Sequence, residues 1–194
     1  FLSYSLNGPT GYSAVYIWSV ADGKSRRVTP ENFNSQAAAW APNGELLYFL
    51  SAREYQPLIS TVEFNFATDR QTGIFALALR KGVANPYGVR DDEPGDDKKD
   101  ADTEKDKDKN KGKDKDKEKS KPAVKIDFDG IVERAIRVPL EPDDLSELHV
   151  TDDALIYQHN GAVFDEREPA AKPKVMAYSI KEREAKTVVE DVSE

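Results

Sequence analysis

Residues 15–29 and 40–49 constrain this chain more than any other feature. Each stretch reads as strand, turn, strand. The first runs Val15-Tyr16-Ile17-Trp18-Ser19-Val20, then Asp22-Gly23, then Ser25-Arg26-Arg27-Val28-Thr29; the second runs Trp40-Ala41, then Asn43-Gly44, then Leu46-Leu47-Tyr48-Phe49. Asp-Gly and Asn-Gly tolerate the positive φ angles of tight hairpin turns, so a hairpin is predicted at each. Hairpin following hairpin in this way is how the blades of a β-propeller join. Propellers act as binding or gating modules, which places any chemistry in another part of the polypeptide.

Further strands are predicted over residues 1–6, 14–20, 25–29, 36–41, 45–51, 73–80, 134–140, 145–150, 154–158, 175–180 and 185–189. Ala37-Ala38-Ala39 suits a strand near a propeller axis, where neighbouring blades crowd. The run Leu46-Leu47-Tyr48-Phe49-Leu50 predicts burial on both faces. Residues 73–80 are ambiguous: Ala and Leu favour helix by propensity, whereas the short length and Gly73 favour strand. Repeat logic makes them the third strand of a blade, equivalent to residues 14–20. Residues 124–131 alternate and turn at Asp129-Gly130. The connection over residues 52–72 carries Tyr55, Phe64 and Phe66 and is too long for a blade hairpin, which predicts a packed or functional excursion. The fold class is therefore all-β: a partial propeller of four-stranded antiparallel blades interrupted by a disordered charged insertion. Residues 1–90 hold a partial blade and the first half of a second, residues 91–122 the insertion, and residues 123–194 the rest of the second blade and a third.

The insertion follows from composition. Charged residues make up 33% of the chain, and residues 91–121 alone hold 13 Asp or Glu and 11 Lys. Such a tract buries too little apolar surface to offset its ordering entropy. A role as a tether for nucleic acid is weakened because the acids neutralise the lysines. The net charge of −8 and the lack of clustered basic charge give no nucleic-acid footprint. Without cysteine there is neither a disulfide framework nor a thiolate metal site. No apolar run is long enough to span a bilayer. No signal peptide is present, and Phe1 lies inside a strand-like segment, which reads as a piece excised from a longer polypeptide.

Two stretches go beyond a generic propeller. Phe64-Asn65-Phe66-Ala67-Thr68-Asp69-Arg70-Gln71-Thr72-Gly73-Ile74-Phe75-Ala76-Leu77-Ala78-Leu79-Arg80 resembles the N-terminal propeller region of tricorn-type serine peptidases. So does Lys125-Ile126-Asp127-Phe128-Asp129-Gly130-Ile131-Val132-Glu133-Arg134-Ala135-Ile136-Arg137-Val138-Pro139, whose block from Asp127 to Arg134 follows a charged insertion as it does in that family. The resemblance implies propellers, then a PDZ-like domain and a tail-specific-protease core that hydrolyses oligopeptides with a serine and a histidine. It implies an oligopeptide or polypeptide substrate, the remaining propeller, PDZ-like and catalytic domains as partners, and a homo-oligomer. It also implies a cytoplasmic compartment, with a periplasmic or exported alternative. No catalytic motif of the family matches this chain, so no catalytic residue is carried over, and no cofactor, metal or membrane partner is implied. Two alternatives stand beside it: a non-enzymatic TolB-like or WD40-like binding propeller, and the propeller of a prolyl-oligopeptidase-type enzyme.

The candidate residues all have a plainer reading. His149 and His159 are the only histidines, and no Gly-x-Ser-x-Gly elbow accompanies them, so structural or solvent roles are expected. Asp127, Asp129 and Gly130 begin like a calcium loop but lack its acidic twelfth position, which favours a turn. Asp143-Asp144 reads as a loop before a strand. Trp18 and Trp40 could be ligand platforms, although blade-interface packing is the simpler expectation. Arg26, Arg27, Arg53 and Arg70 could bind a peptide carboxylate at a channel mouth, although inter-strand ion pairs are simpler.

Overall fold

A computed structural model of the chain describes residues 1–59, 66–67, 70–88, 124–161 and 172–192. The charged insertion expected over residues 91–122 lies outside the described residues. The chain is built from strands β1 (Leu2–Asn7), β2 (Ser13–Ser19), β3 (Lys24–Arg27), β4 (Ser35–Trp40), β5 (Leu46–Ala52), β6 (Leu58–Ile59), β7 (Phe66–Ala67), β8 (Thr72–Ala78), β9 (Ala135–Arg137), β10 (Leu145–Val150), β11 (Ala154–His159), β12 (Lys174–Ser179) and β13 (Ala185–Val189). They form three antiparallel meanders: β1-β2-β3, then β4-β5-β8-β9, then β10-β11-β12-β13; β6 and β7 pair separately. These are the blades of a partial propeller. Strand β4 packs against β1 and β2 on one side and β10 on the other, so the small residues Ala37, Ala38 and Ala39 sit where the sheets converge.

The middle sheet explains the long apolar run. Side chains alternate across a strand. Leu46, Tyr48 and Leu50 of β5, with Ile74, Ala76 and Ala78 of β8, join Leu145, Leu148, Leu155, Tyr157 and Tyr178 of the third sheet in one core. Leu47 and Phe49, with Phe75, Leu77 and Leu79, join Val15, Ile17 and Val28 of the first sheet in the other. Phe49 and Phe75 are opposite each other in the ladder and stack with centroids 5.7 Å apart. Burial of both faces overrides the helix propensity of residues 73–80.

The hairpin turns differ from the expected form. Four residues separate the last paired residues, Ser19 and Lys24, and only the glycines reach positive φ, at 65° for Gly23 and 70° for Gly44. Asp22 and Asn43 act through their side chains, accepting the backbone N–H of Lys24 at 3.1 Å and of Glu45 at 3.0 Å. The alternating stretch 124–131 is likewise not a strand. Residues 124–128 lie outside any strand, and a 3-10 helix runs from Ile131 to Arg134.

Strands β4 and β10 share a device that no turn signal announces. Gln36 faces Leu50 and Ala39 faces Tyr48, so a bulge lies between them; Ser146 faces Gln158 and His149 faces Ile156, with the same bulge. In each the third residue of the strand is left-handed without being glycine, Ala37 at φ 52° and Glu147 at φ 51°. A repeated bulge bends both strands alike.

Candidate functional site

Three places gather polar chemistry between the sheets. The first lies beyond the end of β5, on the face of the middle sheet that packs against the first sheet. The Arg53 guanidinium lies 4.1 Å from the Phe75 ring centroid, 5.5 Å from that of Phe33 and 5.6 Å from that of Phe49. Its Nε donates to Ser51 Oγ at 3.0 Å, and Ser51 Oγ is in turn bonded to Ser35 Oγ at 3.0 Å. Nη2 is buried with no acceptor. Burial lowers the pKa of this arginine, and neighbouring Glu54 partly offsets that.

The second is a cleft of about 140 Å3 between the middle and third sheets, beside the turns that follow β4 and β10. Pro42, Leu46, Tyr48, Pro86, Val150 and Ile180 line it. The Tyr87 hydroxyl donates to the Tyr48 hydroxyl at 3.2 Å. Arg183 Nη2 donates to the carbonyls of Pro86 at 3.2 Å and Gly88 at 2.7 Å, pinning that loop over the core. Burial holds the Tyr48 and Tyr87 phenols above their ordinary pKa and pushes Tyr157 up to about 12. This favours hydrogen-bonding neutral phenols over phenolate chemistry.

The third is a tie between β8 and β11. Asp143 and Thr72 exchange backbone bonds of 3.1 and 3.2 Å. His159 Nε2 lies 2.9 Å from Asp143 Oδ2, and Arg70 Nε lies 3.6 Å from the same oxygen. His159 Nδ1 is buried without a partner, and His149 is exposed on β10. Neither histidine has a serine hydroxyl as a hydrogen-bond partner among the described residues. Asp143 is thus an anchor rather than a bare loop acid.

The calcium-like segment works as a staple. Asp127 N–H donates to Leu79 O at 2.8 Å, and Asp127 Oδ1 accepts from Asp129 N–H at 3.1 Å. Gly130 takes φ 62° and Ile131 is buried. Arg134 donates from Nε to Ala78 O at 3.0 Å, from Nη1 to Asp129 O at 2.6 Å, and from Nη2 to Asp127 O. The Asp129 side chain pairs with Lys81 at 2.8 Å. Together these bonds bring β9 to the edge of the middle sheet. Among the described residues no three His, Asp or Glu side chains gather as a metal site.

The tryptophans divide. Trp40 packs against the core between the first and middle sheets, as an interface residue does. Trp18 lies on the outward face of the first sheet beside Leu2, 37% exposed. Of the four arginines, Arg26 pairs with Asp22 at 2.5 Å and stacks on Phe128, Arg27 pairs with Glu31, and Arg70 pairs with Asp143. The first two pairs are four residues apart along the chain, not across strands. Among the described residues Arg53 has no carboxylate paired with it in a salt bridge. The long connection leaves Tyr55 73% exposed rather than packed; Phe64 lies outside the described residues, and the side chain of Phe66 is not described. No described helix is long and apolar enough to cross a membrane.

The tricorn protease second beta propeller domain family matches residues 1–194. Among solved structures the chain is similar to the crystal structure of the tricorn protease, with a TM-score of 0.68 and 19% identity over 99% of this chain. At that identity the likeness is one of fold. The chain spans 17% of the length of the tricorn protease chain it matches. No curated protein matches it.

Proposed function

The chain belongs to the tricorn protease second beta propeller domain family, and from that premise we propose that it is the scaffold and substrate-access part of a serine peptidase that degrades oligopeptides. The match over the whole chain carries this reading. In this reading the strands described within residues 1–90 and 123–194 belong to blades, and the charged tract at residues 91–122 is an insertion between them in the sequence. The remaining blades, a PDZ-like domain and the catalytic core are its partners within the polypeptide, and the assembled enzyme is a homo-oligomer in the cytoplasm. His159, held on Asp143, is a structural residue in this reading.

The test compares the full-length polypeptide with residues 1–194 alone, using fluorogenic oligopeptides and a serine-reactive fluorophosphonate. Hydrolysis and labelling are expected only in the full-length protein, with the label outside these residues. Labelling of one serine within residues 1–194, abolished by His149→Ala or His159→Ala, would overturn the assignment.

A further inference from the structure

The cleft beside the turns that follow β4 and β10 is apolar at its floor and polar at its mouth. Leu46 and Tyr48 are buried beneath it, and Pro86, Val150 and Ile180 form half-buried walls. Pro42, Asn43, Thr151 and Asp152 are exposed around the rim. Asn43 stands on a turn of the middle sheet and Asp152 on a turn of the third, so the two sheets share the mouth. At about 140 Å3 the cleft is well below the roughly 300 Å3 of a site that encloses a whole small molecule. It suits a single aliphatic side chain.

Two rim groups keep unused hydrogen-bonding capacity. Asp152 is the one charged residue of the lining, and among the described residues no cation pairs with its carboxylate. Arg183, on the turn between β12 and β13, is committed to the carbonyls of Pro86 and Gly88. Asn43 Oδ1 accepts from the Glu45 N–H at 3.0 Å, which identifies that atom as the oxygen; among the described residues Nδ2 has no acceptor. Thr151 Oγ1 is used within its own turn, bonded to Ala154 N and O at 3.0 and 3.1 Å. The mouth therefore offers an anionic acceptor from one sheet, an amide donor from the other, and an apolar floor below them.

The first residue of a peptide carries the complement of all three around one Cα. Its ammonium pairs with a carboxylate, its carbonyl accepts from an amide, and its side chain is free to enter the floor. We propose that the cleft between the middle and third sheets binds the amino terminus of a peptide, with an aliphatic first side chain in the floor and the ammonium on Asp152. That such a peptide is a substrate rests on the function proposed above; the site itself does not. The competing role is a general patch for cations, which needs the charge of Asp152 but neither the floor nor a terminal amine.

The test is fluorescence anisotropy on the full-length polypeptide, its peptidase activity blocked with the fluorophosphonate. A C-terminally labelled hexapeptide beginning with leucine is offered in three forms: with a free amino terminus, N-acetylated, and with glycine as its first residue. The free leucine peptide is expected to bind about 10-fold more tightly than either control, from one charge-assisted bond and one buried aliphatic side chain. Asp152→Asn should abolish the preference over the acetylated peptide and keep the preference over the glycine peptide. Equal binding of the free and acetylated peptides by the unaltered protein overturns the proposal, and that comparison needs no variant to fold. A preference for the free amine that survives Asp152→Asn also overturns it, because the amine would then be read elsewhere. Equal binding of the leucine and glycine peptides, or binding of none, removes the site as well. Hydrolysis by the unblocked protein is read separately. Hydrolysis without these preferences removes the cleft site and leaves the peptidase reading standing; the preferences without hydrolysis do the reverse.

Discussion

The middle and first sheets use the same meander, yet their side chains meet different surroundings. In the middle sheet every residue from Leu46 to Ser51 is buried. In the first sheet, β2 buries Val15 and Ile17 against the middle sheet, while Trp18 faces outward with Leu2 and Leu6, which are 57% and 55% exposed. In the third sheet Leu155, Tyr157 and Tyr178 face the core, while the edge strand β13 is exposed at every residue, Val188 at 60% and Val189 at 50%. The position of a sheet in the stack, rather than its strand order, decides how many faces are covered. A central blade shows in sequence as a continuous apolar run, and a flanking blade as an alternation whose outward half is still apolar.

The comparison is sharpest in paired truncations. Phe49→Ala empties a site buried on all sides and should cost about 3–5 kcal/mol in urea denaturation. Trp18→Ala, on the outward face of the first sheet, should cost about 0.5 kcal/mol. Similar costs at the two sites would remove the distinction between covered and open faces.

Next in size is the staple of the middle sheet. Arg134→Met removes charge-assisted bonds to the carbonyls of Ala78, Asp129 and Asp127. A loss of about 1.5–3 kcal/mol is expected, with faster amide exchange in β9 than in β8. Unchanged exchange in β9 would mean that the staple does not hold that strand.

Alkali probes the core shared by the middle and third sheets. Burial raises the folded-state pKa of Tyr48, Tyr87 and Tyr157, so the folded state keeps protons that the unfolded state has lost. That stability is fully present below the ordinary tyrosine pKa of about 10 and is lost as pH rises beyond it. Absorbance at 295 nm should show these three phenols ionising only with unfolding. Ionisation of all eight tyrosines while the chain remains folded would contradict the buried cluster.

The smallest effect concerns the repeated bulge. Ala37→Gly relieves a left-handed residue, worth about 1 kcal/mol, but adds unfolded-state entropy of similar size, about 0.5–1 kcal/mol. The change should be nearly neutral, whereas Ala38→Gly next to it bears the entropy cost alone. Equal destabilisation by the two would argue against the bulge.

Most of the blade order is readable from the chain because burial periodicity is local. The double-sided run at Leu46–Leu50 and the strand-like apolar segment of residues 14–20 need no knowledge of distant partners. The misses are those in which tertiary partners decide. Ala37 sits in an alanine run with no glycine to signal positive φ, and Glu147 looks like an ordinary strand residue. Residues 124–131 alternate like a strand, but Arg134 satisfies the carbonyls of Asp127 and Asp129 that a ladder would have used. The cage around Arg53 draws Phe33, Phe49 and Phe75 from three separate segments, so only the arginine itself was legible. The turns were placed correctly by Asp-Gly and Asn-Gly, although their side-chain bonds matter as much as the glycine.

The central claim is that three blades stand side by side with the outer two each open on one face. Closure of a propeller covers such faces and removes exposed sheet edges. Static and dynamic light scattering on the 194-residue chain across a concentration series tests this directly. The account predicts that apparent mass rises with concentration, as exposed faces carrying Leu2, Leu6, Trp18, Val188 and Val189 find one another. A monodisperse monomer that melts cooperatively at the highest concentration would contradict it, since the chain would then be closed on itself.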